Sequence, residues 1–365
     1  MTARIANARR VLDDMALDAL LVWNLVNVRY LSGFTGTEGA LVVSRDRALF
    51  LTDSRYATQI IDEAPTFGHR IAPAKIPNIA AALAELKATR VGYEDEILPV
   101  ARAIALRDAT PGVDWIGLGS RLDALRLRKE PGEIDAMRRA SRIAEIGLDR
   151  ALAVLRPGVT ERHVALALEF AMREAGASGT SFDTIVASGP RGALPHGVAS
   201  DRAIERGEMV TIDFGCVADG YCSDQTVTVG VGPVNGRMKQ VYDVVLDAQL
   251  RAIDALRPGV SLRAVDALAR GAIADAGYGE YFSHGLGHGV GMEIHENPRV
   301  SGSSDAVAEE GHVVTIEPGI YIPGEFGVRI EDTLVVTKSG CDRITSVDKS
   351  WRTVGGDTDE VGGRS

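Results

Sequence analysis

The chain has 365 residues, with 40 Lys and Arg against 50 Asp and Glu, a formal charge of −10, and 45% apolar and 25% charged residues. That length suits two cores better than one, and the composition excludes a largely disordered chain. The acidic balance, without any basic run, argues against sequence-independent nucleic-acid binding, which needs clustered cations to neutralise phosphates.

From the N-terminus, Ile5, Leu12 and Met15 mark an amphipathic helix. A buried strand at 19–23 follows, then strands near 41–43 and 48–51, an alternating α/β pattern. The stretch Ala19 to Trp23, after Arg4, Arg9 and Arg10, is too short for a signal or membrane segment. Only three cysteines occur, Cys216, Cys222 and Cys341, without C-x-x-C spacing, and they read as packed thiols of a reducing compartment. A cytoplasmic protein that does not engage a membrane is expected. Gly33, Gly36 and Gly39 interrupt the pattern in YLSGFTGTEG; no Lys-Ser/Thr follows them, so a turn is expected rather than a phosphate loop.

The alternating pattern ends in PGVDWIGLGS, residues 111–120, and a charged helical stretch from Leu122 to Arg150 opens a second domain. The expected boundaries are 1–120, 121–354, and a flexible tail over 355–365. In the second domain, helices rich in Ala, Leu, Glu and Arg alternate with β runs at 208–214 and 312–316, which predicts α+β with an antiparallel or mixed sheet.

That second domain repeats itself. LRPGVT from Leu155 matches LRPGVS from Leu256, with Thr160 and Ser261 as expected helix N-caps. GEMVTIDFG from Gly207 matches GHVVTIEPG from Gly311, which sets Asp213 against Glu317. Asp224-Gln225-Thr226 answers Glu331-Asp332-Thr333. Three matches in the same order predict two copies of one helix-and-strand unit.

Duplication then brings Asp213, Asp224, Glu317 and Glu331 to corresponding places inside otherwise apolar strands. Four carboxylates converging there would repel one another unless cations lay between them. HGLGHGVGMEIHE adds His284, His288 and His295 in what reads as one glycine-rich loop, with His288 as the imidazole ligand and the other two left for substrate. A carboxylate-rich set with one imidazole suits Mn²⁺, with Co²⁺, Zn²⁺ or Fe²⁺ also fitting. Two such ions sharing a water suit amide hydrolysis.

On these residues the sequence resembles the pita-bread metallopeptidases, the family of methionine aminopeptidase, Xaa-Pro aminopeptidase and prolidase. The motifs are the PHG histidine, the DFG…SD pair, the HGxGHxxG…H stretch, the EPG strand and the final RxED, over most of 125–345. The resemblance implies an α+β pita-bread catalytic domain with an internal pseudo-twofold repeat. It also implies two divalent ions, with Asp213 chelating one, Asp224 and Glu331 bridging, and His288 and Glu317 on the other. Glu317 would serve as general base. His196 and His295 would contact the scissile carbonyl, and His284 would shape the proline pocket. Arg329 would orient a ligating carboxylate beside the substrate, with Tyr321 as a further pocket residue.

NVRYLSGFTGTEG and TDSRY are similar to the creatinase-type α/β N-terminal domain, which implies a homodimer acting on peptides with proline second. The FTGTEG and DSRY pattern favours an Xaa-Pro aminopeptidase working through a metal-bridging hydroxide, with an Xaa-Pro dipeptidase (prolidase) as the rival. A creatinase-like C–N hydrolase and a non-catalytic peptide-binding module are the more distant readings, both disfavoured by the intact ligand set.

Overall fold

The computed structural model describes residues 3–355, so most of the tail expected over 355–365 lies outside the described residues. Contacts divide the chain into two units, Met1–Arg126 and Leu127–Ser365.

The first unit comprises α1 (Ala3–Asp14), β1 (Ala19–Val22), α2 (Leu25–Ser32), β2 (Ala40–Ser44), β3 (Ala48–Thr52), α3 (Gln59–Glu63), β4 (Gly68–Ile71), α4 (Lys75–Leu86), β5 (Arg90–Tyr93), α5 (Val100–Ala109) and β6 (Asp114–Gly117). Its six strands form one mixed sheet in the order β4-β3-β2-β1-β5-β6. The central strands β1 and β2 are buried at every residue, which is why they read as continuous apolar runs. Segment 33–39 is the turn region between α2 and β2, with Gly33 capping α2 in the left-handed conformation at φ 84°.

The PGVDWIGLGS stretch contains the edge strand β6, inside the expected 1–120 domain. The unit runs on to Arg126. Its last turns are tied back by Tyr30, whose hydroxyl donates to the Leu125 carbonyl at 2.7 Å, and by Arg126, whose Nε donates to Asn27 Oδ1 at 3.0 Å. The helix expected from Leu122 accordingly starts later, at Pro131, behind a capping box made by Glu130 and Glu133.

The second unit contains α6 (Pro131–Val154), α7 (Glu161–Glu174), β7 (Gly179–Thr180), β8 (Ile185–Ser188), β9 (Met209–Phe214), β10 (Cys216–Ala218), β11 (Tyr221–Cys222), β12 (Gln225–Val231), α8 (Gly236–Ala255) and α9 (Leu262–Asp275). It continues with β13 (Gly287–Gly289), β14 (Glu296–Val300), β15 (Val313–Ile316), β16 (Gly319–Ile322), β17 (Phe326–Arg329), β18 (Asp332–Val336), β19 (Cys341–Arg343) and β20 (Thr353–Val354).

The duplication is visible throughout. Helices α6 and α7 pack over the β20-β12-β9-β8 sheet, and α8 and α9 over the β14-β13-β15-β18-β19 sheet. β9 pairs antiparallel with β12 as β15 does with β18. Thr160 and Ser261 each open a helix and each bridge a returning segment, at Ala203 and Val307. Their capping chemistry differs: the Thr160 side chain accepts from the His163 N–H, whereas Ser261 occupies the cap position without a side-chain cap bond.

The histidine-bearing stretch is not one loop. Gly287–Gly289 form β13, wedged between β14 and β15, so His288 projects from a strand. The flanking glycines allow this close approach, since a Cβ on Gly287 would collide with the Thr315 carbonyl. Gly287→Ala should therefore cost at least about 2 kcal/mol. Gly271→Ala, in the body of α9 where a methyl meets nothing within 4 Å, should stabilise by about 0.5–1 kcal/mol. Thermal denaturation of the two variants checks this, and equal shifts would contradict the packing described.

Candidate metal centre and substrate cavity

A cavity of about 690 Å³ opens in the second unit, lined by Asp213, Asp224, His288, Glu317 and Glu331 together with His196, His284, His295, Arg299 and Arg329. Asp213 lies near the end of β9, and Glu317 directly follows the matching strand β15. Asp224 and Glu331 immediately precede the paired strands β12 and β18. The repeat thus delivers each acid to a strand end, where a side chain can leave the sheet while the rest of the strand stays buried.

The donors converge closely. Ligand atoms of Asp224, His288 and Glu331 lie within 4.8 Å of one another. His288 Nε2 is 3.5 Å from Asp224 Oδ2 and 3.3 Å from Glu317 Oε1. The other ring nitrogen, Nδ1, is 3.0 Å from the Gly289 carbonyl, an oxygen that can only accept. Burial lowers the His288 pKa to about 4, so the ring is neutral at neutral pH, with its proton on Nδ1. Nε2 then turns its lone pair toward two carboxyl groups, so the ring nitrogen is presented as a ligand atom and not as a hydrogen-bond donor.

The acids show the same frustration. Burial, with the neighbouring Glu331, Asp213 and Glu317, pushes the Asp224 carboxyl well above its ordinary range. Burial likewise raises Glu331 well above its ordinary value and takes Glu317 to about 7. Asp213 Oδ1 is buried with no hydrogen-bond partner among the described residues. An orphaned carboxylate oxygen, an aimed imidazole lone pair and three acids held above their ordinary range fit divalent cations at this place.

Supporting contacts fix these groups. Thr226 Oγ1 donates to Glu331 Oε2 at 2.7 Å, and Thr315 Oγ1 donates to Glu317 Oε1 at 3.1 Å, so each threonine steadies one acid. Arg329 is fully enclosed: Nη2 donates to Asp213 Oδ2 at 2.6 Å, Nη1 to the Tyr321 hydroxyl and the Pro195 carbonyl at 2.9 Å each, and Nε to Thr226 Oγ1 at 3.2 Å. The Tyr321 hydroxyl in turn lies 2.9 Å from His284 Nε2, while His284 Nδ1 faces the Gly285 carbonyl at 2.7 Å.

Among the residues expected at the site, the three rim histidines border the cavity. His288 and His295 stack edge to face at 4.4 Å. Tyr321 is placed differently: it does not line the cavity but stands behind His284 and is held by Arg329. Arg329 borders the cavity with its donors committed to protein oxygens, so its geometry is that of a carboxylate holder. Sequence reasoning passed over Thr226, Thr315 and Arg299. The two threonines follow from the repeat itself, since Thr315 stands two residues before Glu317 as Thr211 stands before Asp213, and Thr226 stands two residues after Asp224 as Thr333 stands after Glu331. Arg299 carries a period-two signal from His295.

Residues 135–338 match metallopeptidase family M24, and residues 4–128 match the creatinase/prolidase N-terminal domain. The chain is similar to the solved Xaa-Pro dipeptidase from Bacillus anthracis, 42% identical with a TM-score of 0.94 over 96% of this chain and 99% of that one. It is also similar to the X-Pro aminopeptidase from Thermotoga maritima MSB8, at 37% identity and TM-score 0.89 over 94% and 100% of the two chains. A sequence relative, the Xaa-Pro dipeptidase of Pyrococcus horikoshii, is 38% identical over 352 residues, 96% of this chain and 98% of that protein. With the family match spanning β7 to β18 and all the converging acids, the chain belongs to metallopeptidase family M24 and carries a creatinase/prolidase N-terminal domain.

Proposed function

We propose that the protein is a dinuclear, metal-dependent peptidase that hydrolyses Xaa-Pro dipeptides. The observation that carries the reading is the convergence of Asp224, Glu331, Glu317 and the His288 lone pair in the cavity that also holds the unpartnered Asp213 oxygen. Asp213, Asp224, His288, Glu317 and Glu331 would hold two ions, with Mn²⁺ suited to the oxygen-rich set. Bound there, the ions supply Lewis acidity toward a carbonyl and lower the pKa of water.

The chain's own groups do the rest. Glu317 would act as the general base, with Thr315 Oγ1 donating to Oε1 and so fixing which oxygen is free. Arg329 holds Asp213 in place and, through the Tyr321 hydroxyl, fixes His284 at the cavity wall. His196 and His295 border the same cavity, where a ring N–H can stabilise negative charge developing on the scissile carbonyl oxygen.

The Bacillus anthracis and Pyrococcus horikoshii dipeptidases support the dipeptide substrate, against the aminopeptidase reading that FTGTEG and DSRY favoured. The Thermotoga maritima aminopeptidase keeps that second reading in play. With Mn²⁺ present, proline release from Ala-Pro should exceed first-residue release from Ala-Pro-Ala by at least about 100-fold in kcat/KM, a preference that leaving a buried group unpaired can supply. Comparable rates would establish the aminopeptidase instead, and no cleavage of either would overturn both. A homodimer working in the cytoplasm belongs to the same proposal; among the described residues no helix is long and apolar enough to cross a membrane.

A further inference from the structure

Helix α7 opens on an acid that no step described above uses. Glu161 follows the Thr160 cap, its side chain is fully enclosed, and its two oxygens accept five hydrogen bonds. The Ser188 N–H and hydroxyl donate to Oε1 at 2.8 and 2.7 Å. The Ser200 N–H and hydroxyl donate to Oε2 at 3.0 and 2.6 Å, and Arg191 Nε donates to the same oxygen at 2.9 Å. Burial works against the charge, but the Ser200 and Ser188 donors outweigh it and hold the carboxyl below its ordinary range, so the group is an anion at neutral pH.

All five donors belong to the segment that carries His196. Ser188 ends β8 and Ser200 lies on the far side of the histidine, so Glu161 clips the two arms of this loop together. Within the loop, Arg191 Nη2 donates to the Val198 carbonyl at 2.6 Å, and Arg329 Nη1 donates to the Pro195 carbonyl at 2.9 Å. His196 is thus bracketed by two held carbonyls, one tied to the arginine that grips Asp213 and the other to the arginine that pairs with Glu161. The residue itself is exposed, and its ring makes no hydrogen bond among the described residues. The loop backbone, rather than packing around the ring, sets where the imidazole lies.

The second half-domain uses the same device. Asp266 on α9 is buried and accepts from Arg270 Nε at 2.9 Å, and Arg270 donates in turn to the Phe282 and His284 carbonyls at 2.9 and 2.8 Å. In both halves a buried acid on the second helix, paired with an arginine, holds a segment that brings a histidine to the cavity.

We propose that Glu161 and Arg191 are positioning residues for His196, holding its loop so that the imidazole meets the scissile carbonyl oxygen as charge develops there. This rests on the role given to His196 above. A contact made only in the transition state, once misplaced, lowers kcat and kcat/KM together and leaves KM alone.

The test is a double-mutant cycle on Mn²⁺-loaded enzyme, with Arg191→Gln, His196→Ala and the pair assayed on Ala-Pro. Arg191→Gln should lower kcat about 10- to 100-fold with KM within about threefold, the effect of moving a reacting group by around an ångström. Arg191→Lys should recover part of the loss, since it keeps the charge without the planar fork. In the His196→Ala background the Arg191→Gln change should cost less than about threefold, because the ring it positions is gone. Glu161→Gln should follow the same pattern, and if that buried substitution does not fold, the Arg191 arms decide.

Equal losses in the two backgrounds, as a merely structural role predicts, or no loss in either, would overturn the proposal. If wild type does not cleave Ala-Pro, or His196→Ala costs less than about threefold, the role given to His196 fails by itself. The His196 ring-proton resonances, assigned against His196→Ala with Zn²⁺ in place of Mn²⁺, then decide the positioning alone. They should shift in Arg191→Gln, and unshifted resonances would overturn it.

Discussion

Glu317→Gln is expected to lower kcat by about 10²- to 10⁴-fold, the span that a positioned general base contributes. The change is nearly isosteric. An amide oxygen can still accept from Thr315 Oγ1, which lies 3.1 Å from Glu317 Oε1, so the strand end should keep its place. What disappears is the carboxylate oxygen that would accept the proton, since a Gln amide has no basic site there. One donor 3.3 Å from His288 Nε2 is also weakened as a ligand. Stopped assays on Ala-Pro with saturating Mn²⁺, alongside a thermal melt, separate the outcomes. A variant that melts like wild type and keeps more than about a tenth of its kcat would refute the role given to Glu317.

How the site could be read from the sequence depends on its symmetry. Asp213 and Glu317, like Asp224 and Glu331, are legible because the repeat places them inside strands that otherwise bury apolar residues. Glu331 and Asp332 show where that legibility stops. They are adjacent acids at the start of β18, and alternation sends them to opposite sides. Glu331 enters the cavity, whereas Asp332 is buried among Thr345, Gln249, Arg343 and Lys349, with Thr345 Oγ1 donating to it at 2.7 Å. Only matched spacing against Asp224 distinguishes them; charge does not.

Residues outside the repeat were harder to place. His288 stands on β13, whose glycines resemble a loop in sequence because the strand needs close backbone approach on both edges. Tyr321 and Arg329 meet only because β16 and β17 form a hairpin in which Gly319 pairs with Arg329 and Tyr321 with Gly327, a register that spacing alone does not reveal. The first unit ends at Arg126, six residues past the expected 120, because the segment after β6 is tied back to α2 through Tyr30 and Asn27, contacts that composition does not display.

Asp224→Asn should abolish hydrolysis and remove the stabilisation that Mn²⁺ confers, while making the metal-free chain more stable at neutral pH. The folded carboxyls of Asp224 and Glu331 are held well above their ordinary values, and Glu317 is raised to about 7. Between the ordinary carboxylate range and about pH 7 the metal-free native chain therefore holds protons that the unfolded chain has released. Its stability is greatest below that range and falls as pH rises through the window, by about 3 kcal/mol from Glu317 alone. Above about pH 7 the whole of the Glu317 share applies.

Replacing Asp224 with a neutral amide removes one of the repelling charges, so metal-free Asp224→Asn should melt above metal-free wild type at pH 8, and the two should converge near pH 4. Added Mn²⁺ reverses the order. Wild type should gain about 2.7 kcal/mol once free Mn²⁺ reaches 100 times its dissociation constant, and the variant little or nothing. Melting curves with and without Mn²⁺ across that pH range test both halves. A variant stabilised by Mn²⁺ as strongly as wild type would remove Asp224 from the ligand set. A metal-free wild type that gains stability from pH 4 to 8 would show that the acids do not repel one another as the geometry requires.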